Sequence, residues 1–231
     1  MGFSNYFYQM KLSHIVALLK KDLLIEWRMR SAFQGMLLYV ICTIFVCYLS
    51  FKLRSGQVSV PTWNALFWII LLFVATTAIS KSFHQESSQR ELYYRFLCLP
   101  EEIIIAKIIY NALIVTFLAL LCIFFYSLVL GNPVQDMGLF VLNLILGATG
   151  FSSTLTMVSG ITQKAGNNTT LMAILSFPII LPLLLMLIKV SRNAVDGLTW
   201  NDSQDELLIL TALNGIVLAC SYILFPYLWR S

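Results

Sequence analysis

The chain has 231 residues, of which 59% are hydrophobic and 11% are charged, and its mean hydropathy is +0.82. Soluble globular domains carry about 25% charged residues, so this composition excludes a soluble protein. The formal net charge is +4, and no nucleic-acid partner is expected. The composition predicts a single all-α membrane domain over residues 1–231, because helices satisfy their own backbone groups within a bilayer.

The segment 10–31 precedes the first long apolar stretch and has two chemically different sides. The apolar side consists of Leu12, Ile15, Val16, Leu19, Leu23 and Trp27, and the basic side consists of His14, Lys21 and Arg28. This spacing predicts an amphipathic helix in the membrane interface, with its basic side toward anionic headgroups. A simple anchor and an elbow helix that also contacts a cytosolic partner explain the pattern equally well.

Six apolar stretches are long enough, or nearly so, to cross a hydrocarbon core about 30 Å thick as helices. They are residues 32–51, 64–79, 103–130, 139–158, 171–188 and 207–229. The second stretch is short unless flanking residues join it. The third is long enough to tilt or to begin in the interface.

Basic residues are distributed unequally between the two sides of the membrane. Eleven of the fifteen lysines and arginines lie before the first span, at residues 81–107, at Lys164 and at Arg230. The opposite loops contain the other four, which are Lys52, Arg54, Lys189 and Arg192. Because cytosolic loops carry the excess of basic residues, both termini are expected in the cytosol.

The segment 80–102 is the longest cytosolic connection in this arrangement and joins the second and third spans. No helix-breaking residue occurs from Glu86 to Leu97, so a short cytosolic helix is expected before Pro100. Its apolar and aromatic residues stand beside charges, as on protein-docking surfaces. The candidate coupling residues are Glu86, Arg90, Glu91, Tyr93, Arg95, Phe96 and Leu97. The alternative is a helix that lies passively on the membrane.

Two later spans contain residues that bear on packing and movement. Small residues around Gly147 and Gly150 in the fourth span allow close approach of helix backbones, whereas a ligand surface is the less favoured interpretation. Pro178 and Pro182 in the fifth span each remove a backbone donor. We expect a kink there that acts as a hinge or pathway wall, with a merely bent structural helix as an equal alternative.

The sequence lacks the motifs of several chemical functions. No Asp, Glu, Arg or His lies near the middle of a span, which argues against an ion-coupled carrier or redox pump. No Gly-rich phosphate-binding loop occurs, so the chain is not expected to be an enzyme, and nucleotide hydrolysis would require a separate subunit. The cysteines and histidines form no ligand set, so neither a metal site nor a catalytic residue is assigned.

Four stretches cover nearly the whole chain and have a familiar pattern: KDLLIEWRMRSAF, FHQESSQRELYYRFLCLPEEIIIAK, GFSSTLTMVSGITQKAG and LSFPIILPLLL. Together they resemble the heme exporter protein B family, CcmB, the permease subunits of the cytochrome c maturation ABC transporter. The second and last stretches are the most specific. Gln89, Arg90 and Glu91 depart from the residues of many relatives, which leaves the map of docking contacts open.

The resemblance implies a permease that acts in heme export or in release of a heme-loaded chaperone for cytochrome c biogenesis. It also implies a bacterial cell inner membrane, a separate CcmA-type ATPase subunit that binds ATP, and CcmC-type and CcmD-type neighbours. No cofactor is expected to be firmly bound, and heme would be a ligand that the chain transports or handles.

Six helices are few for a transporter driven by two ATPase subunits, so a second copy of this chain or another membrane subunit is expected beside it, together with membrane lipids. Two other functions stay open. One is an ABC exporter permease for lipid, polysaccharide or drug, and the other is a membrane scaffold without a transport cycle. The lack of a histidine at mid-membrane favours mechanical coupling over passage of heme through the chain.

Overall fold

The computed structural model describes residues 2–28, 30–55, 58–84, 99–164, 169–198 and 200–230, and the regular structure of these residues is entirely helical. The all-α prediction is therefore confirmed. The helices are α1 Gly2–Arg28, α2 Arg30–Ser55, α3 Val60–His84, α4 Pro100–Leu130, α5 Met137–Lys164, α6 Thr169–Asp196 and α7 Gln204–Arg230, and a 3-10 turn at Trp200–Ser203 precedes α7.

Six helices in the described part of the chain are long and apolar enough to cross a membrane, which confirms the predicted number of spans. The spans are Gln34–Phe51, Val60–Ser82, Pro100–Leu130, Met137–Gln163, Thr170–Asp196 and Trp200–Tyr227. The second is 23 residues long, because helix α3 includes the residues on both sides of the short stretch predicted from hydropathy.

Helix α4 is much longer than a bilayer core requires. Its 31 residues extend about 46 Å at about 1.5 Å per residue, against a core about 30 Å thick. The first third contains Glu101, Glu102 and Lys107, and the last third contains no charged residue. The excess length therefore lies at the N-terminal end, where residues 100–110 reach beyond the hydrocarbon. We call this end of the bundle, which also holds the end of α3, the terminal face.

Helix α5 is the centre of the bundle, because it packs against α3, α4, α6 and α7 and has the largest buried share of any span, 67%. Two of its glycines lie where neighbouring side chains come closest. A Cβ atom at Gly147 would lie 2.8 Å from the ring of Trp68, and one at Gly150 would lie 2.5 Å from Asn214 Oδ1. These helix contacts have no room for a larger residue.

Buried aromatic rings fill the bundle toward the end opposite to the terminal face. Trp63 and Tyr126 make an edge-on contact with ring centroids 4.9 Å apart, and Phe67 packs against Tyr126 and Phe140. The polar atoms of these rings have partners: the Trp63 indole donates to the Gly131 carbonyl at 3.0 Å, and the Tyr126 hydroxyl donates to the Trp63 carbonyl at 2.9 Å. The cluster thus joins α3, α4 and α5 without an unsatisfied ring group.

Four buried asparagines, one in each of α3, α4, α5 and α7, connect the helices through their side-chain amides. Each Nδ2 donates to a group on a neighbouring helix, which in a bilayer favours one arrangement of helices over others. The bonds are Asn64 to the Ile188 carbonyl at 3.0 Å, Asn111 to Thr156 Oγ1 at 2.8 Å, Asn143 to the Leu187 carbonyl at 2.9 Å, and Asn214 to the Leu146 carbonyl at 3.0 Å. We call these bonds the asparagine clamps.

Candidate functional site

The coupling helix expected from residues 86–97 lies outside the described residues, and with it lie all seven candidate coupling residues. They are Glu86, Arg90, Glu91, Tyr93, Arg95, Phe96 and Leu97. The structure does describe the two ends that this segment joins, since α3 ends at His84 and α4 begins at Pro100. The polar residues around these two ends form the candidate site, which we call the terminal polar layer.

The first turn of α4 is connected to two other helices. Glu102 is 4% exposed; its Oε2 accepts the backbone N–H of Leu99 at 3.2 Å and lies 3.3 Å from His14 Nδ1 of α1. The carboxylate of Glu101 accepts the hydroxyl of Tyr222 in α7 at 3.0 Å. Both acids also suit the positive end of the α4 dipole. A displacement of this turn must therefore act on α1 and α7.

Two further contacts lie one and two turns deeper along α4. The Lys107 ammonium donates to the Ser82 carbonyl near the end of α3 at 3.2 Å. The Tyr110 hydroxyl donates to Glu26 Oε2 of α1 at 3.0 Å. Lys107 and Glu26 are 5% and 8% exposed, so both charges are removed from water and depend on these polar contacts. Glu26 Oε1 has no hydrogen-bond partner among the described residues.

Helix α1 runs alongside the projecting part of α4. Its contacts progress from His14 at Glu102 to Glu26 at Tyr110, so both helices run in the same direction. At about 1.5 Å per residue these contacts are about 18 Å apart along α1 and about 12 Å apart along α4, which indicates an oblique crossing. The sequence predicts His14 on the basic side of this helix, toward the headgroups, whereas the structure places its ring against Glu102. Glu102 of α4 holds His14 in this inward orientation, and Glu26 of α1 is itself held by Tyr110 of α4.

The terminal polar layer has the geometry of a mechanical junction. Its contacts join α4 to α1, α3 and α7 within about 10 residues of the helix start, and they surround both ends of the segment 85–98. Among the described residues no group of three or more His, Cys, Asp or Glu side chains is arranged to hold a metal ion. What this layer can do is transmit a movement of the connecting segment to three helices at once.

The two prolines lie on the outside of the chain. Helix α6 is continuous from Thr169 to Asp196 through Pro178 and Pro182, and both prolines are exposed, as are Phe177 and Leu181 beside them. In the single chain they face the surroundings of the bundle and line no interior passage among the described residues. The hinge remains a prediction.

Near Gly150, an open apolar groove of about 650 Å³ lies between α4, α5 and α7. Its polar lining residues are Thr116, Thr149, Ser152 and Asn214. The hydroxyls of Thr149 and Ser152 donate to carbonyls of their own helix, and the amide of Asn214 forms an asparagine clamp. The groove is therefore lined mainly by apolar side chains, and three of its four polar residues donate to helix carbonyls.

Sequence reasoning missed most of the terminal polar layer. Glu101 and Glu102 follow Pro100 at the start of α4, and Glu26 lies within the amphipathic pattern of α1, so neither position by itself indicates a partner helix. The available signal was Glu26, an acid that lies among apolar residues of α1. A carboxylate that is buried there requires a polar partner. The asparagine clamps could not be predicted, because a neutral amide within an apolar span does not indicate which helix supplies its acceptor.

A protein-family model described as CcmB protein matches residues 13–227, nearly the whole chain. The match includes most of α1, all six spans and the segment 85–98. No curated protein matches the sequence.

Proposed function

The chain belongs to the CcmB family, the heme-export permeases of cytochrome c maturation, and on this basis we propose that it is the membrane subunit of an ABC transporter. It is a multi-pass membrane protein of a permease family, and such a family is not one of enzymes. ATP is hydrolysed on a separate CcmA-type subunit. The observation that carries this proposal is the terminal polar layer around the two ends of the segment 85–98.

In the proposed mechanism the ATPase docks on the segment 86–97, which the sequence predicts to be helical. Movement of the docked ATPase displaces the ends of α3 and α4. Because Glu101 and Glu102 are bonded to α7 and α1, the displacement spreads to those helices. The aromatic and apolar residues Tyr93, Phe96 and Leu97 act as anchors, and the neighbouring charges orient the partner.

The partners follow from the same proposal. CcmC-type and CcmD-type membrane proteins are neighbours, and a second copy of this chain completes the membrane part, since two ATPase subunits need two bundles. The chain holds no firmly bound cofactor, and heme is its transported or handled ligand. The step driven by ATP is either passage of heme or release of a heme-loaded chaperone.

A bacterial inner membrane with both termini in the cytosol is the proposed location. The excess of basic residues on the side of the terminal face supports this orientation. The variant Ser88→Cys tests it in a background without other cysteines: a membrane-impermeant maleimide should label position 88 only after the cells are opened. Labelling of intact cells from outside contradicts both the orientation and the docking of an ATPase at this segment.

Lipid or another amphiphile is the second candidate cargo, because the groove between α4, α5 and α7 is open and lined mainly by apolar side chains. The two cargoes are separated by their physiological readout. Loss of holocytochrome c without a change in lipid composition favours the heme pathway, and the reverse result favours lipid export.

The docking proposal is tested with the double variant Tyr93→Ala, Phe96→Ala. Truncation of interface anchors costs about 2 kcal/mol or more in affinity, roughly 30-fold. We expect loss of co-purified ATPase and of holocytochrome c at a normal membrane level of the protein, and a smaller effect from Arg90→Ala. The matched control removes two exposed rings of α4, Phe117 and Phe124, and should keep the ATPase. Full ATPase association and full cytochrome yield in the double variant contradict the proposal.

A further inference from the structure

Helix α1 has an outward face of mixed apolar and basic character. Leu24 is 68% exposed, and Val16 and Leu23 are each about two-fifths exposed. Lys20 and Arg28 are exposed on the same side. Helical spacing places these residues within about two-fifths of the circumference, since each residue turns the helix by about 100°. We call Val16, Ala17, Lys20, Leu23, Leu24 and Arg28 the outward face of α1.

The described acidic residues of α1 are turned away from the outward face. Asp22 pairs with Lys21 at 3.0 Å, and Glu26 accepts the hydroxyl of Tyr110. Lys20 and Arg28 have no ion-pair partner in the described part of the chain. The separation of charge makes the outward face positive, although α1 as a whole carries acids and bases.

The depth of α1 is set by α4. Its two polar contacts lie at Glu102 and Tyr110, within the part of α4 that reaches beyond the hydrocarbon core. Lys20 lies midway between the α1 residues of those contacts. The outward face is therefore at the level of the lipid headgroups, where long basic side chains reach phosphate and leucines reach the upper acyl chains.

We propose that the outward face of α1 is a binding surface for anionic phospholipid, with Lys20 and Arg28 on the headgroup phosphates and Leu23 and Leu24 among the acyl chains. Lipid explains the surface better than a second copy of the chain does, because two such faces would bring like charges together. Charge complementarity selects anionic over zwitterionic lipid. This inference concerns lipid alone and does not depend on an ATPase partner.

The test uses the purified full chain in vesicles of phosphatidylcholine with phosphatidylglycerol. A fluorophore on Ala17→Cys, in a background without other cysteines, reports lipids beside the outward face. Nitroxide carried on either headgroup quenches it. Each basic residue near an anionic surface gives about fivefold enrichment, so two give about 25-fold preference for phosphatidylglycerol at low ionic strength. The preference should fall as salt is added.

The variant Lys20→Gln, Arg28→Gln should lose this preference while its thermal midpoint stays unchanged. The matched control Lys189→Gln, Arg192→Gln removes two charges at the other end of the bundle and should keep it. Equal quenching by both lipids in the unaltered chain, or a preference that survives in the first variant, overturns the proposal. Protection of the fluorophore from both lipids also overturns it, since it indicates protein on this face. Tyr93→Ala with Phe96→Ala should leave the lipid preference intact even if ATPase docking fails.

Discussion

Replacement of Gly150 by alanine should destabilise the bundle, although alanine is the better helix former. The new methyl group would lie 2.5 Å from Asn214 Oδ1 and 2.8 Å from a methyl carbon of Leu183, and ordinary contacts of this kind are longer than 3.4 Å. Helices α5, α6 and α7 meet at this point. Either α7 moves away from α5, or the Asn214 side chain leaves the Leu146 carbonyl.

The magnitude follows from three contributions. Alanine in place of glycine favours a helix by about 1 kcal/mol. Insertion of a methyl group into a filled contact costs about 1–3 kcal/mol, and loss of the Asn214 bond costs about 0.6 kcal/mol, the average for such bonds within membranes. The net destabilisation is therefore about 0.6–2.6 kcal/mol. Gly215 is the matched control, because a methyl group there meets nothing within 4 Å, so Gly215→Ala should be neutral or stabilising.

Buried Cys122 provides the assay, since it is 0% exposed. In a background where every other cysteine is replaced, a thiol-reactive dye reports the temperature at which the detergent-solubilised bundle opens. We expect the midpoint of Gly150→Ala to fall by several degrees, and that of Gly215→Ala to stay or rise. If Gly150→Ala is as stable as Gly215→Ala, the close contact between α5 and α7 is refuted.

Three further substitutions test single contacts. Trp68→Phe keeps a ring but loses the indole donor that lies 2.6 Å from Ser191 Oγ. The bond contributes about 0.6 kcal/mol within a membrane and the smaller ring adds a packing cost, so the midpoint should fall in the same thermal assay; an unchanged midpoint contradicts this bond. Gly197→Ala forces an alanine into a backbone φ of +71° and should cost about 1 kcal/mol, whereas no cost would contradict the left-handed turn. Tyr110→Phe leaves Glu26 without its donor, which costs about 1–3 kcal/mol, and limited proteolysis should cut α1 faster than in the unaltered chain; equal rates contradict the α1 to α4 contact.

The number and type of the helices could be predicted from the sequence, because uninterrupted apolar runs have one stable form in a bilayer. The second span was underestimated at its start, where Pro61 and Thr62 lower the hydropathy. Proline fits the first turn of a helix, where its missing N–H has no partner to lose, and α3 begins at Val60.

The candidate site could be predicted only in part. The segment 80–102 drew attention by its polarity, but the contacts around its ends join residues far apart in sequence. Glu26 and Tyr110 are separated by 84 positions. The sequence pattern of α1 does not indicate which residue of α4 it contacts, and the pattern of α4 does not indicate its contact in α1. Periodicity describes one helix at a time, so it cannot predict which face of α1 meets α4.

The asparagine clamps also constrain how the chain is made. Asn64 in α3 and Asn143 in α5 both donate to carbonyls of α6, and the acceptor of Asn64 lies 124 residues later in the chain. At about 5–20 residues per second, synthesis of that interval takes about 6–25 s. During this interval the Asn64 amide of a newly inserted α3 lacks its final acceptor. The insertion machinery or another chain must therefore bind the incomplete bundle until α6 is inserted. The rate of translation therefore sets how long the partly inserted chain exists without these hydrogen bonds.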